Sequence, residues 1–203
     1  MCGIAGLIHK GKTVDIGKEL RDMLQALKHR GPDSTGYALY GEGESDNYIM
    51  RFKVGENVKE GSKAINEDKS VYDARRKQVD QHIRDLGANI LQDQQLTPYS
   101  FRYVIKYDKD LMEFSKRIES VEMTEILSLG KTLELVKDIG DATVVSKQYG
   151  LDKIKGTHAI GHSRMATESG VDIRSAHPFW GYPFSDVSVV HNGQLTNYWN
   201  NRR

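Results

Sequence analysis

The chain contains one cysteine, and it is the second residue. A lone thiol can form neither an intramolecular disulfide nor a cysteine-based zinc cluster. Hydrophobic residues make up 38% of the 203 positions, enough for one medium domain or a domain carrying an inserted subdomain. A single cysteine is usually a small buried hydrophobe, but removal of Met1 would leave the Cys2 thiol beside a free α-amino group.

Charge and hydropathy narrow the class of protein. The net charge is +1 and the basic and acidic residues are mixed, unlike the concentrated basic face of a nucleic-acid-binding protein. No run approaches the roughly 20 consecutive apolar residues that a membrane-spanning helix needs. The short apolar start lacks the basic residues and the cleavage site of a secretory signal. We therefore expect a cytoplasmic protein that binds neither nucleic acid nor membrane.

The first quarter of the chain alternates strand and helix patterns. Residues 2–9 predict a buried strand, and residues 15–29 predict an amphipathic helix whose apolar side chains recur at helical spacing. Glycine and proline punctuate residues 30–36, which are therefore a predicted loop. Two further strands are predicted around 37–40 and 48–54.

The composition changes after Gly55, where polar residues dominate. Residues 71–91 carry apolar side chains at helical spacing and predict a helix. The later predicted elements are a strand over 100–107, a helix over 110–118, a strand or short helix over 121–129, a helix over 141–149, and strands over 157–163 and 186–191. We interpret residues 56–155 as an inserted α/β subdomain between two parts of one domain, 1–55 and 156–203.

Three short segments could carry chemistry: MCGIAG at 1–6, GHSRMAT at 161–167 and HNG at 191–193. Taken alone, Arg164 is most simply a salt-bridge partner and Asn192-Gly193 a turn. However, an arginine side chain is also a planar fork that can bind a carboxylate through two hydrogen bonds. An asparagine amide next to a glycine N–H can likewise form an oxyanion hole. No single segment decides between these interpretations.

Together with the loop HRGPDS at 29–34, these segments resemble the class II glutamine amidotransferases, a family of N-terminal-nucleophile hydrolases. The resemblance covers residues 1–55 and 156–203 and leaves the middle of the chain outside it. It implies an α+β fold, a four-layer α-β-β-α sandwich with two antiparallel sheets between helical layers. In this chain the C-terminal part of that sandwich would be missing, and the α/β subdomain would be inserted.

The resemblance also implies which residues are catalytic. Cys2 would attack the side-chain amide carbon of glutamine, form a thioester and release ammonia, with its own α-amino group acting as general base through a water. An α-amino group has a reference pKa of ~7.7–8.0, which suits a base at neutral pH. Asn192 and Gly193 would stabilise the tetrahedral oxyanion.

Other matching positions would bind the substrate or brace the site. Arg164, helped by Thr167, would hold the α-carboxylate of glutamine. His177 is included among the substrate-binding residues as part of a loop over the pocket, although it could instead simply mark a turn. Arg30 and Asp33 would brace the loop around the nucleophile.

Two stretches predict a finer assignment. RMATES at 164–169 and AHPF at 176–179 are similar to the separate glutaminase subunits of glutamate synthase or N-methylglutamate synthase, which pass ammonia to a flavin-containing partner. We therefore expect glutamine as the substrate and neither metal nor cofactor in this chain, with FMN and an iron–sulfur cluster in a partner synthase subunit. The alternatives are an amidotransferase of an aminosugar or purine pathway, a related N-terminal-cysteine amide hydrolase, or a binding module without turnover.

The last residues, 196–203, have the composition of a first helical turn. The family that the chain resembles continues with further strands, one of which carries a carboxylate that binds the amino group of glutamine. We therefore expect these 203 residues to be a fragment of a longer chain or one half of a split domain. Expressed alone, the chain is expected to be poorly soluble or to show little glutaminase activity, because a truncated sheet exposes unpaired backbone and apolar surface.

Overall fold

The computed structural model describes residues 2–31, 33–43, 46–56, 58–60, 63–65, 67–165, 173–193 and 197. Its elements are β1 (Gly3–Ile8), α1 (Ile16–Ala26), a 3₁₀ turn (Lys28–Arg30), β2 (Ser34–Gly41), β3 (Tyr48–Lys53), β4 (Val58–Glu60), β5 (Lys63–Ile65), α2 (Lys69–Asp85), β6 (Asn89–Gln95), β7 (Ser100–Lys106), α3 (Leu111–Glu119), β8 (Glu125–Gly130), β9 (Leu133–Ile139), α4 (Ala142–Tyr149), a second 3₁₀ turn (Leu151–Lys153), β10 (Gly156–Arg164), β11 (Phe179–Trp180) and β12 (Ser188–Val189). Within this part of the chain, no helix is both long and apolar enough to cross a membrane.

The strands form two four-stranded antiparallel sheets and two short ribbons. The first sheet has the order β1-β10-β2-β9, and the second has the order β6-β7-β3-β8. The ribbons are β11-β12 and β4-β5. Because β8 and β9 follow one another in the chain but belong to different sheets, the turn between them connects the two sheets.

Helices α1 and α4 cover one face of the first sheet. The buried hydrophobic residues of α1, Ile16, Leu20 and Leu24, recur every four positions and so form one apolar stripe. They belong to the same cluster as Tyr37 and Leu39 of β2, to which α4 also contributes. This packing fixes the sheet whose end carries the predicted nucleophile.

Helices α2 and α3 pack on the second sheet in a separate, larger cluster. Val79 of α2 and Phe114 of α3 are fully buried there together with Phe52, Phe101 and Tyr103 of the strands. The fold is therefore a mixed α and β arrangement with antiparallel sheets, which is compatible with an N-terminal-nucleophile-type sandwich. The four-layer order stays a prediction.

Most predicted elements in the first and last thirds of the sequence are confirmed, with ends shifted by a few residues. These include the strand over 2–9, the helix over 15–29, and the strands over 37–40, 48–54 and 157–163. In each, the period of the apolar side chains matches the element that forms.

The helix over 71–91 is wrong in its last part. Helix α2 ends at Asp85, and Gly87 follows with a left-handed φ of 80° that turns the chain away. Residues Asn89–Gln95 then form β6, an edge strand with mostly exposed side chains. An edge strand exposed in this way has no apolar alternation by which to detect it.

The strand over 186–191 is also largely wrong, because only Ser188–Val189 are in strand conformation. Asp186 has a φ of 59°, outside the extended region, and so cannot begin a regular strand. The segment around it is a turn whose conformation is set by contacts with another part of the molecule, described below.

The segment 56–155 contributes strands to both sheets. Strands β7 and β8 pair with β3, and β9 pairs with β2. Strand β9 is absent from the predicted elements because it is buried over its whole length, polar residues Glu134, Lys137 and Asp138 included, and therefore lacks alternation. The division into a domain of 1–55 and 156–203 with an inserted subdomain stays a prediction.

Candidate active site

Cys2 lies directly before β1, at the end of the first sheet. The antiparallel register pairs Gly3 with Ser163 of β10, so continuing it by one residue places Cys2 opposite Arg164. On its other side, Arg164 pairs with Ser34 of β2. The half-buried cysteine and the arginine therefore share one end of the sheet.

Asn192 contacts the backbone of the predicted nucleophile. Its Nδ2 donates a hydrogen bond to the carbonyl oxygen of Cys2 at 3.0 Å, across 190 residues of sequence. Gly193 follows beside the His191 ring, where a Cβ atom would lie 3.1 Å from His191 Nε2. The fold thus brings the HNG segment to the N-terminal cysteine, while the catalytic roles of these residues stay predictions.

The loop that precedes β2 packs directly on the end of β10. Gly31 has no room for a side chain, because a Cβ atom there would lie 2.4 Å from the carbonyl carbon of Arg164 and 2.7 Å from Met165 N. The Asp33 N–H donates to the Arg164 carbonyl at 3.2 Å, and the Asp33 carbonyl accepts the Gly140 N–H at 2.9 Å. The backbone of Asp33 therefore links β10 to the end of β9.

Among the other predicted site residues, the structure describes the two arginines. Arg164 is only 8% exposed, whereas Arg30 is exposed. The Cβ of Arg30 lies 3.6 Å from the point where a Cβ on Gly3 would stand, so this arginine flanks the start of β1. Thr167 lies outside the described residues. The roles assigned to these side chains stay predictions.

Three histidines pack together near this end of the sheet. The ring centroids of His162 and His177 are 4.9 Å apart, and those of His177 and His191 are 6.4 Å apart. The backbone N–H of His191 donates to Nδ1 of His177 at 3.3 Å. In the described part of the chain, no group of three histidine, cysteine or acidic side chains could hold a metal ion.

Two of these histidines, His162 and His177, have depressed pKa values. Burial lowers the pKa of His162 to about 4, and the positive charge of Arg164 adds to the shift. Burial likewise lowers the pKa of His177 to about 4, with further contributions from Lys137 and Arg164. Both imidazoles are therefore neutral at pH 7, and each has one ring nitrogen available as an acceptor.

The depressed pKa of His162 predicts that the protein loses stability in acid. The unfolded chain takes up a proton near pH 6.5, whereas the folded chain resists it until about pH 4, so the free energy of unfolding falls as the pH drops through this window. For a histidine that is 1% exposed, we expect a loss of about 2–3 kcal/mol between pH 7.5 and pH 4.5. Urea unfolding of the wild type and of His162→Leu at both pH values measures it.

The slope, and not the absolute stability, decides this prediction. Repacking in His162→Leu shifts the free energy of unfolding by a constant, but the acid-dependent loss should shrink by the amount that His162 contributes. His82→Leu on α2 provides the matched control, because it removes a partly exposed imidazole that lies outside the histidine cluster. An unchanged pH dependence in His162→Leu would contradict the prediction.

Asp186 anchors the segment that leads to His191, and no local pattern in the sequence identifies it. Its carboxylate accepts hydrogen bonds from the backbone N–H groups of Lys131, Thr132 and Leu133 at 2.7–3.0 Å, and from the Thr132 hydroxyl at 2.9 Å. Burial disfavours the charged carboxylate, but these donors outweigh burial and lower the pKa of Asp186. Asp186 therefore ties the β11-β12 ribbon to the turn between the two sheets.

The sequence of this chain is similar over its whole length to two longer proteins. It is 36% identical over 208 residues to the "Putative glutamine amidotransferase" of Methanothermobacter thermautotrophicus, a match that covers 98% of this chain and 63% of that protein. It is 32% identical over 209 residues to the "Glutamine amidotransferase-like protein GlxB" of Rhizobium meliloti, covering 100% of this chain and 62% of the relative. The chain thus spans less than two thirds of the length of these relatives.

A partial match extends to a different amidotransferase. Over 96 residues the chain is 34% identical to the glutamine–fructose-6-phosphate aminotransferase (isomerizing) of Methanococcus maripaludis, covering 46% of this chain and 16% of that enzyme. No family model matches the chain. Homologues of this chain are therefore named glutamine amidotransferases, and the similarity leaves the class and the ammonia acceptor open.

Proposed function

We propose that this chain carries the glutaminase site of a glutamine amidotransferase, in which Cys2 hydrolyses the side-chain amide of glutamine. The observation that supports this most is the hydrogen bond from Asn192 Nδ2 to the Cys2 carbonyl, because it joins a proposed nucleophile to a proposed oxyanion donor. The names of the relatives support the same reaction class.

In the proposed reaction, the Cys2 sulfur attacks the side-chain carbonyl carbon of glutamine while the thiol proton passes to the α-amino group of the same residue. The amine then gives this proton to the leaving nitrogen, and collapse of the tetrahedral adduct releases ammonia and leaves a thioester. Water hydrolyses the thioester to glutamate and regenerates the thiol. A retained Met1 would turn the amine into a non-basic peptide nitrogen, so the active form must begin at Cys2.

Asn192 and Gly193 are the proposed donors to the oxyanion. The Asn192 amide lies beside Cys2, and because its side chain is exposed, it can turn from the Cys2 carbonyl toward a negatively charged oxygen on the substrate. Donors of this kind act mainly on the transition state, because the negative charge exists only there. We therefore expect these two donors to raise kcat and to contribute little to the affinity for glutamine.

Arg164 is the proposed partner of the substrate α-carboxylate, and its replacement gives a testable change in KM. Lysine keeps the charge but loses the planar pair of donors, so Arg164→Lys should raise KM for glutamine by about 10–150-fold, equivalent to ~1.5–3 kcal/mol. We expect kcat to change little, since the carboxylate contact is the same in the ground state and the transition state. Steady-state glutamine hydrolysis by the intact protein measures both constants.

Arginine at another position serves as a control for the loss of a guanidinium group anywhere in the protein. Arg76 on α2 forms an ion pair with Asp93, which belongs to β6 of the second sheet. Because Cys2 lies at the end of the first sheet, Arg76→Lys should leave KM for glutamine unchanged. If Arg164→Lys retains the wild-type KM, then Arg164 does not bind the carboxylate and the proposed substrate orientation fails.

The second part of the proposal concerns the molecule that accepts the ammonia. We place the chain with the glutaminase subunits of the glutamate synthase or N-methylglutamate synthase type, whose partner synthase would carry FMN and an iron–sulfur cluster. The stretches RMATES and AHPF support this, whereas the partial match to an aminosugar-forming enzyme favours a sugar phosphate acceptor. Glutamine-dependent amination of 2-oxoglutarate or of fructose 6-phosphate in an extract of the native host, depleted and then resupplied with this protein, distinguishes the two.

The reaction itself is tested with the glutamine-analogue electrophile diazo-oxo-norleucine. We expect it to label one site, found by mass spectrometry on an N-terminal peptide that begins at Cys2, and glutamine to protect against labelling. Ammonia release from glutamine, asparagine and an N-acyl amide then defines the substrate. Hydrolysis of the N-acyl amide alone would indicate another type of amide hydrolase, and glutamine binding without labelling or ammonia would indicate a binding module.

A further inference from the structure

The segment 191–193 needs something to hold it in place, because it lies beyond the last residue of the β11-β12 ribbon. Strand β12 ends at Val189, and His191, Asn192 and Gly193 are all exposed. The hydrogen bond from the His191 N–H to His177 Nδ1 lies immediately before the asparagine that contacts Cys2. His177 therefore fixes the backbone at His191, one residue before Asn192.

His177 is itself held rigidly by three strands. Its ring packs at 4.9 Å from the His162 ring of β10 and edge-on at 4.5 Å against the Phe179 ring of β11. Its carbonyl oxygen presses on β2, where a Cβ atom on Gly36 would lie 1.9 Å away. A side chain that is positioned so closely can serve as a fixed acceptor for a neighbouring segment.

The charges around the ring keep it in the form that accepts a hydrogen bond. Arg164 and His162 face it from β10, Lys137 faces it from β9 with its Nζ 4.6 Å from the centre of the Phe179 ring, and His191 faces it from its own segment. Burial is the main cause that opposes a second proton, the positive charges of Lys137 and Arg164 add to it, and the pKa of His177 falls to about 4. A neutral ring whose Nδ1 accepts must carry its proton on Nε2.

We infer that His177 is a positioning residue, which as the neutral Nε2–H tautomer accepts the His191 N–H and so holds Asn192 and Gly193 against Cys2. This inference rests on the proposed function and replaces the substrate contact predicted for His177. Because His177 acts through the segment 191–193, its replacement should slow the chemical step and leave glutamine binding largely unchanged.

Two substitutions of His177 separate the acceptor from the ring. His177→Phe keeps an aromatic ring but removes the acceptor, and we expect kcat for glutamine to fall about tenfold with KM unchanged. His177→Asn places an amide oxygen near the position of Nδ1, and we expect kcat within about threefold of the wild type. The control is His82→Phe on α2, which removes a ring whose Nδ1–H donates to the Arg117 carbonyl at 3.0 Å, outside the histidine cluster.

Two measurements on the intact protein do not depend on turnover. Amide hydrogen exchange at His191, followed by NMR at pH 7, should be faster in His177→Phe than in the wild type and near the wild-type rate in His177→Asn. The imidazole nitrogen shifts of the wild type should show His177 as the Nε2–H tautomer, and this observation requires no variant to fold.

Specific outcomes overturn the inference. A Nδ1–H tautomer, or wild-type kcat and wild-type His191 exchange in His177→Phe, would show that the hydrogen bond does not position the segment. A raised KM with unchanged kcat in both variants would make His177 a substrate-binding residue instead. If the wild type, assayed as the full-length protein, neither hydrolyses glutamine nor reacts at Cys2, the proposed function fails, whereas tautomer and exchange data still decide whether His177 holds the segment.

Discussion

Replacing Cys2 with serine is expected to lower kcat for glutamine hydrolysis by at least about 10⁴-fold. The substitution keeps the α-amino group and nearly the same side-chain volume, so it changes only the nucleophilic atom. An amine with a reference pKa of ~7.7–8.0 can activate a thiol at neutral pH but is a poor base for a hydroxyl of much higher pKa. Ammonia and glutamate release, measured with glutamine well above KM, gives the ratio of the two kcat values.

The serine variant also allows binding to be separated from chemistry. Since the side chain at position 2 is only half-buried and the strand register depends on β1 backbone, we expect the variant to fold as the wild type does and to bind glutamine with similar affinity. A Cys2→Ser protein that retained a tenth or more of the wild-type kcat would show that another group attacks the amide, and the proposed mechanism would then be wrong.

The position of Cys2 illustrates which parts of the fold the sequence could predict. Strand β1 and helix α1 follow from short-range apolar periodicity, and α1 buries Ile16, Leu20 and Leu24 as its pattern requires. Strand β9 does not follow from it, because Glu134 and Lys137 are buried through ion pairs with Arg51 and Glu125 from other strands. Partners that lie far away in sequence make a polar residue acceptable in a core, and no local window contains them.

The candidate site divides in the same way. The residue types at Cys2, Arg164 and Asn192 are recognisable in short motifs, but the contact between Asn192 and Cys2 depends on strand pairing and on a ribbon anchored elsewhere. Asp186 supplies that anchor through hydrogen bonds to a turn more than fifty residues earlier in the chain. Neither its position nor its neighbours have a sequence pattern that indicates such a role, so only the three-dimensional arrangement identifies it.

Asn192→Ala gives the second large expected effect, a fall in kcat of about 10²–10³-fold with KM for glutamine nearly unchanged. The alanine variant removes the Nδ2 donor that lies 3.0 Å from the Cys2 carbonyl, while Gly193 and the thiol remain. In the proposed reaction this donor forms a hydrogen bond to the substrate oxygen. That bond is strong in the transition state, when negative charge develops on the oxygen, and contributes little to binding of the uncharged amide. Initial rates over a range of glutamine concentrations separate kcat from KM.

Asn192→Asp is the companion variant that distinguishes this cause from a loss of packing. Aspartate fills the same volume but presents an oxygen acceptor in place of the donor, so it should repel the oxyanion and lower kcat at least as far as alanine does. Truncating the exposed Asn89 of β6 to alanine controls for loss of an amide elsewhere on the surface and should leave kcat unaltered. If Asn192→Asp retained more activity than Asn192→Ala, shape would matter more than the donor. Asn192 would then be a structural contact of Cys2, and the oxyanion would have to be stabilised by other groups.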